Sequence, residues 1–412
     1  MLRFELKKVL GSTGGKIATL AFVCVLLFSC WQSASGCNRV IWVNEQGDEE
    51  KGFVAAKKLH AAQDEWEGYL DEAHLAEIIR ELNRIAATPE AQSKDYNQND
   101  IAYGWKLGIR PVRYVLIKSY SDKLTDFNWY LADTLDPSVA GSFYSNRVKQ
   151  VRNYLTENSA DLQLSQKEQE YVINQFEKLK APIYYDYMEG WSILLESMAY
   201  IMLLGTLLIG YLVSGIFSNE FRWHTDSVFY STVHGRKMAV AAKIKAGFLL
   251  TTALYWGSVL ILAAFTLAFY GIDGWNCAIQ FDYWKSIYNL NYLQTFLCYA
   301  VSGYLGTLFM AFLTMWVSAK TNSAVFAVTV PFILIFVPNF IENSSLETQC
   351  ARVLGLLPDN LMDLTYNLRS LDVYDLGFTV SGAWPIQIVI YTALTTLLVP
   401  MMYRQFRKKQ IA

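Results

Sequence analysis

Charge is what this 412-residue chain has least of. Asp, Glu, Lys and Arg together make up 17% of it, against roughly a quarter in soluble domains. Hydrophobic residues account for 53%, a balance that points to lipid. Charge asymmetry is missing too: the formal net charge is −2, so nothing in the balance calls for nucleic acid or an acidic partner. Metal and nucleotide signatures are also absent. The cysteines, Cys24, Cys30, Cys37, Cys277, Cys298 and Cys350, have no metal-ligand spacing, and His60, His74, His224 and His234 form no His-Glu-x-x-His arrangement, which leaves a zinc protease unsupported. The stretch GSTGGKIA at 11–18 imitates a phosphate loop and fails on inspection. Three residues, not four, separate Gly11 from Gly15, and Ile17 follows Lys16 where Mg²⁺ binding needs Ser or Thr. No catalytic pair recurs in the apolar segments either, so neither a cofactor nor an enzymatic activity is expected.

What the chain does have is uncharged length. A helix needs about 20 apolar residues to cross a hydrocarbon core, and six runs without a charged residue meet that length: 17–38, 197–218, 246–272, 286–319, 321–341 and 376–403. The basic residues flank them unevenly. Arg3, Lys7, Lys8 and Lys16 precede the first run, Arg222 to Lys245 fill the gap between the second and third, and Arg404, Arg407, Lys408 and Lys409 follow the last. The positive-inside rule puts all three groups in the cytoplasm, which six crossings satisfy. The first run could also be a cleavable lipoprotein signal ending before Cys37; its full spanning length favours an uncleaved helix. The expectation is an all-α polytopic membrane protein with six transmembrane helices and a mainly helical extracytoplasmic domain. Its parts are a cytoplasmic N-terminus at 1–16, the first span at 17–38, the outer domain at 39–190 and the second span at 191–218. A cytoplasmic segment at 219–245, the remaining spans within 246–403 with an outer hairpin near 342–375, and a cytoplasmic tail at 404–412 complete it.

The outer domain reads as helical. Leu75, Ile78, Ile79, Leu82 and Ile85 recur at three- and four-residue spacings, one apolar stripe of an amphipathic helix. Ser165 and Glu168 form a capping-box pattern before a second stripe, Tyr171, Val172, Phe176 and Leu179. The stretches SKDYNQND and LDPSVAGS look like loops. Tyr184, Tyr185, Tyr187 and Trp191 then read as an interfacial aromatic belt, with Tyr187 and Trp191 also candidates for a substrate pathway or interface. Glu196 lies deeper, where a carboxylate is costly without water or a partner; it either snorkels outward or lines a cavity. Cys37, Cys277 and Cys350 fall on the outer side, where a disulfide is allowed but three thiols cannot all pair.

Between the second and third runs lies SNEFRWHTDSVFYSTVHGRKMAVAAKIKAG, 218–247. It is too polar for lipid and too short for a domain. Phe221, Trp223, Val228 and Phe229 can dip into the interface while Glu220, Arg222 and Asp226 face water, as in a short surface helix. Gly235 permits a turn, after which 238–245 can restart a helix continuous with the third span. This order of features resembles the permease subunits of ABC-2 type transporters: an inside N-terminus, one span, a large outer domain, five more spans and such an inner segment. The family has an acidic residue after span two, a Ser/Thr stretch, an Arg-containing turn and a Lys leading into span three. Glu220, Ser231 and Thr232, Gly235 with Arg236, and Lys243 occupy those positions. The Pro that some members carry at the turn is replaced here by Val233 and His234.

The resemblance covers the transmembrane part and not the outer domain. It implies a subunit of a bacterial plasma-membrane transporter that pairs with a second permease, a copy or a paralogue, and with a cytoplasmic ABC ATPase. Glu220, Asp226, Gly235, Arg236 and Lys243 would then couple the ATPase to the spans, with Glu220 and Arg236 holding the elbow by charge pairing. Uncharged, aromatic-rich spans suit export of a peptide or lipid-like amphiphile. The alternative is a membrane sensor whose outer domain binds a ligand and which needs no ATPase.

Overall fold

The computed structural model describes residues 1–36, 39–158, 162–223, 238–342 and 352–407. Helix dominates, and the described strands form three short antiparallel pairs: Ile41–Val43 with Glu49–Lys51, Gly68–Tyr69 with Tyr184–Tyr185, and Val373–Asp375 with Val380–Gly382. Five described helices are long and apolar enough to cross a membrane: Thr13–Ala34, Glu189–Arg222, Val240–Tyr270, Tyr292–Thr321 and Ala383–Gln405. A sixth apolar helix, Ala324–Glu342, contains Pro331 and Pro338, and its apolar part, Ala324–Pro338, is shorter than the other five. A multi-pass, mostly helical protein is therefore what the structure supports.

The helix ends differ from the uncharged runs because capping, not charge, sets them. Ser12 accepts from the Gly15 amide at 2.9 Å and starts the first long helix at Thr13, so Lys16 lies inside it. Asn291 and Gln294 close a capping box that starts Tyr292–Thr321 six residues later than the run begins. The second helix is continuous over Glu189–Arg222 and contains a π-helical turn at Ile201–Gly205. Its companion Val240–Tyr270 begins before Lys243 and ends at Gly271, whose φ of 101° suits glycine. Buried hydroxyls join the bundle: Thr206 to Thr307 at 2.8 Å, Ser33 to Thr266 at 2.6 Å, and Ser318 to the Ser214 carbonyl. Such contacts hold helices together where lipid removes the hydrophobic drive.

The 40–188 domain matches the apolar stripes. Leu75, Ile78, Ile79, Leu82 and Ile85 are all fully buried on Glu72–Ala86. The Ser165–Glu168 capping box is formed, with Val172 and Phe176 buried below it. The two stretches expected as loops are helical at least in part. Asp95 caps Tyr96–Trp105 through the Asn97 amide, and Asp136 caps a 3₁₀ turn, Pro137–Ser142. Short caps compensate for polar residues that the stripe criterion discounts.

One apolar core runs unbroken from this domain into the helical bundle. Its joint is the segment between Tyr270 and Tyr292, which buries Cys277, Phe281 and Trp284. Arg147 donates to the Trp284 carbonyl at 2.9 Å and lies between the Trp284 and Phe176 rings. Tyr184 to Trp191 do not form an aromatic belt facing lipid. Tyr185, Tyr187 and Trp191 are buried within the chain, because the domain folds back over the start of Glu189–Arg222.

Gly303 shows how tightly the bundle closes. A Cβ there would lie 2.4 Å from Met202 Sδ and 2.6 Å from the Tyr255 hydroxyl, which is fixed by its bond to the Ala300 carbonyl. Gly303→Val should destabilise the protein by about 1–3 kcal/mol and lower its melting temperature in detergent. Gly257→Ala, where a Cβ meets nothing within 4 Å, should leave it unchanged; equal melting of the two variants would contradict this packing.

Candidate functional site

Two ionic centres sit at opposite ends of one helix. Glu220 and Glu189 are 31 residues apart on Glu189–Arg222, about 45 Å at 1.5 Å per residue. The first centre joins that helix to Val240–Tyr270 and to the N-terminal helix Leu2–Gly11. Lys243 Nζ donates to Glu220 Oε1 at 2.7 Å, to Glu5 Oε2 at 3.0 Å and to the Ile216 carbonyl at 2.8 Å. Lys8 Nζ donates to the same Glu220 oxygen at 2.6 Å and lies over the Trp223 ring. Two cations meet two carboxylates, and the Lys243 side chain is completely buried.

This arrangement changes the reading of the 218–247 stretch. Glu220 does not face water: the second helix continues through it, and Leu2–Gly11 covers it. Lys243 turns into the protein while its neighbour Lys245 stays exposed. Glu220 has Lys243 and Lys8 as partners. Asp226, Gly235 and Arg236, with Ser231 and Thr232, lie outside the described residues. One buried ion pair, Glu220 with Lys243, thus ties the end of Glu189–Arg222 to the start of Val240–Tyr270.

The second centre lies where the 40–188 domain meets the bundle. Arg39 Nε donates to Glu189 Oε2 at 3.1 Å, its Nη1 to Glu196 Oε1 at 3.2 Å and its Nη2 to Asp282 Oδ1 at 2.6 Å. Arg110 adds a bond to Glu189 Oε1 at 3.2 Å and another to the Arg39 carbonyl at 2.6 Å. Asp282 Oδ2 accepts from Ser192 at 2.6 Å and from Tyr292 at 2.8 Å. Glu196 is one arm of this salt-bridge network, with about a third of its side chain exposed. Burial would raise the Asp282 carboxyl, but Arg39 and the Ser192 and Tyr292 hydroxyls outweigh it and hold the group below its ordinary value. Burial likewise pulls Arg39 down, and Asp282, Glu189 and Glu196 more than reverse that, raising it well above the usual guanidinium value.

Tyr187 stacks on His60 with ring centroids 4.1 Å apart, and Trp191 donates to the Ile272 carbonyl at 3.0 Å. Both brace the junction between the domain and the helix that follows. Cys277 is a buried free thiol; Cys37 and Cys350 lie outside the described residues. No group of His, Cys, Asp and Glu among the described residues is arranged to hold a metal ion.

Sequence reasoning singled out Glu220, Lys243 and Glu196 but not Glu5, Lys8, Arg39, Arg110, Glu189 or Asp282. One signal was available for Arg39. It is a lone arginine immediately after the first apolar run, on the side opposite the basic flanks, where a cation needs a reason. Glu5 and Asp282 carry no such signal, since both reach their partners across more than two hundred residues of sequence. No protein-family model matches the chain, and no curated protein matches it.

Proposed function

We propose that the chain is the membrane subunit of an ATP-driven ABC transporter, exporting a peptide or lipid-like amphiphile and powered by a separate cytoplasmic ATPase. In this reading the helix Ala324–Glu342 is a sixth span and both termini are cytoplasmic. The 40–188 domain is extracytoplasmic, and a second permease completes the pathway. The observation that carries the proposal is the buried Glu220–Lys243 pair, made by the acid and the lysine that bracket the segment resembling a coupling helix. Residues 224–237, with Asp226, Gly235 and Arg236, would dock on the ATPase. Because both ends of that segment are tied at one point, a push on it would move Glu189–Arg222 and Val240–Tyr270 together. The first of these helices runs to Glu189 and Glu196, so the motion would reach the outer domain.

The test is purification from native membranes with neighbouring subunits, followed by assay of ATP hydrolysis. A P-loop ATPase should co-purify, and replacing Gly235 and Arg236 should lower its stimulated activity by about tenfold, the equivalent of ~1.4 kcal/mol in the activation barrier, while leaving the assembly intact. If the chain purifies without any ATPase and instead binds a soluble ligand through its outer domain, the sensor reading replaces this one.

A further inference from the structure

Beside the second ionic centre lies a cavity of about 320 Å³ lined by Lys118, Leu124, Asp282, Tyr283, Trp284, Lys285 and Arg369. Three cations converge on it from three separate parts of the chain: the helix Arg110–Tyr120, the segment before Tyr292, and the end of the short helix Leu364–Arg369. Among the described residues none of the three forms a hydrogen bond or a salt bridge; Lys285 lies over the Tyr154 ring and Arg369 over the Tyr283 ring. Asp282, the acid in the wall, is already engaged by Arg39, Ser192 and Tyr292. Burial and the nearby charges of Lys285 and Arg369 outweigh attraction to Asp282 and push Lys118 below its ordinary value. Like charges brought together and partly removed from water, with no acceptor of their own, are costly unless an anion joins them.

We propose that this cavity binds the phosphate of an anionic membrane amphiphile. Lys118, Lys285 and Arg369 would donate to the phosphate oxygens, and Leu124, Tyr283 and Trp284 would face the apolar part next to it. Position favours a lipid-borne phosphate. The cavity wall includes Asp282, ten residues before the helix Tyr292–Thr321 begins, and so lies near the membrane end of the domain. Lys285 and Arg369 also line an adjoining space of about 260 Å³, whose other charged residues are Asp372 and Arg352, the latter paired with Glu168. The inference does not depend on an ATPase partner.

The experiment uses the full chain in detergent, with native mass spectrometry counting bound lipid when phosphatidylglycerol and phosphatidylcholine compete at equal concentration. The wild type should retain phosphatidylglycerol preferentially. Lys118→Gln, Lys285→Gln and Arg369→Gln should each weaken that retention by about tenfold, as expected for loss of one charge-assisted contact, while Lys118→Arg should preserve it. Melting curves confirm that the variants are folded. Inorganic phosphate is the second arm. If it stabilises the wild type and displaces the lipid, the site reads phosphate itself; if it does neither while phosphatidylglycerol binds, the lipid is the ligand. Equal retention of the two lipids together with no stabilisation by phosphate would overturn the proposal, as would a triple Gln variant that binds like the wild type.

Discussion

Arg39→Met should be among the most damaging single substitutions in this protein. Among the described residues, Arg39 is the one side chain that meets Glu189, Glu196 and Asp282 together. Removing it leaves three carboxylates crowded at a largely buried junction, with Arg110 reaching only Glu189. Breaking a buried pair by deleting one partner costs about 3–5 kcal/mol. The lower figure is the better expectation here, because Arg39 and Glu196 keep about a quarter and a third of their side chains exposed and water screens that arm. The pH dependence distinguishes this mechanism from simple loss of packing. In the wild type the Asp282 carboxyl is held below its ordinary value. Its stabilisation is therefore present above roughly pH 4 and is lost as pH falls through the lower folded value. In the variant burial acts on the Asp282 carboxyl without Arg39 to offset it and raises it, so mild acidification should neutralise it and narrow the deficit. Melting in detergent at neutral pH and again near pH 5 measures this. A deficit that is the same at both values would show that charge is not the cause.

Lys243→Met should be nearly as severe, for a different functional reason. Lys243 is fully buried and answers both Glu220 and Glu5; removing it takes from Glu220 its buried partner, while the partner Lys8 is partly exposed. A loss of about 3–5 kcal/mol is expected from removing one partner of this buried pair. Pairing the change with Glu220→Gln should recover much of the stability, since replacing both members of a buried pair by neutral groups of similar size is often close to neutral. If the pair serves coupling, the double variant should fold and assemble but fail to transmit. Its ATPase partner would then hydrolyse ATP without the stimulation seen in the wild type. A double variant that is stable and fully stimulated would remove the pair from the mechanism and leave it as a fold-stabilising contact. Failure of the double variant to regain stability would show that the contacts Lys243 makes outside the pair, to Glu5 and to the Ile216 carbonyl, carry more of the energy than the pair does.

Residues 75–85 and 165–176 were legible in the sequence because amphipathic periodicity and a capping box are local properties. The hydrogen bonds that fix them lie within one helix, so no knowledge of distant contacts is needed. The apolar runs were legible for the same reason, while their limits were not. Ser12 and Asn291 shift helix starts by several residues through single side-chain bonds. The aromatic residues Tyr185, Tyr187 and Trp191 were misread, because amphipathic rings suit a lipid interface and a protein interior equally well. Only the fold of the 40–188 domain over them decides between the two.

By itself the sequence determined that this is a helical, multi-spanning chain, since composition and run length depend on each residue's own affinity for lipid. It also marked Glu220, Lys243 and Glu196 as charges out of place. The tertiary structure alone decided what those charges do. Lys243 becomes buried only because Leu2–Gly11 brings Glu5 and Lys8 to it, and Glu196 acquires a partner only because Arg39 and Asp282 arrive from distant segments. A buried charge is tolerable only with its counter-ion, and the counter-ion's place is a property of the fold.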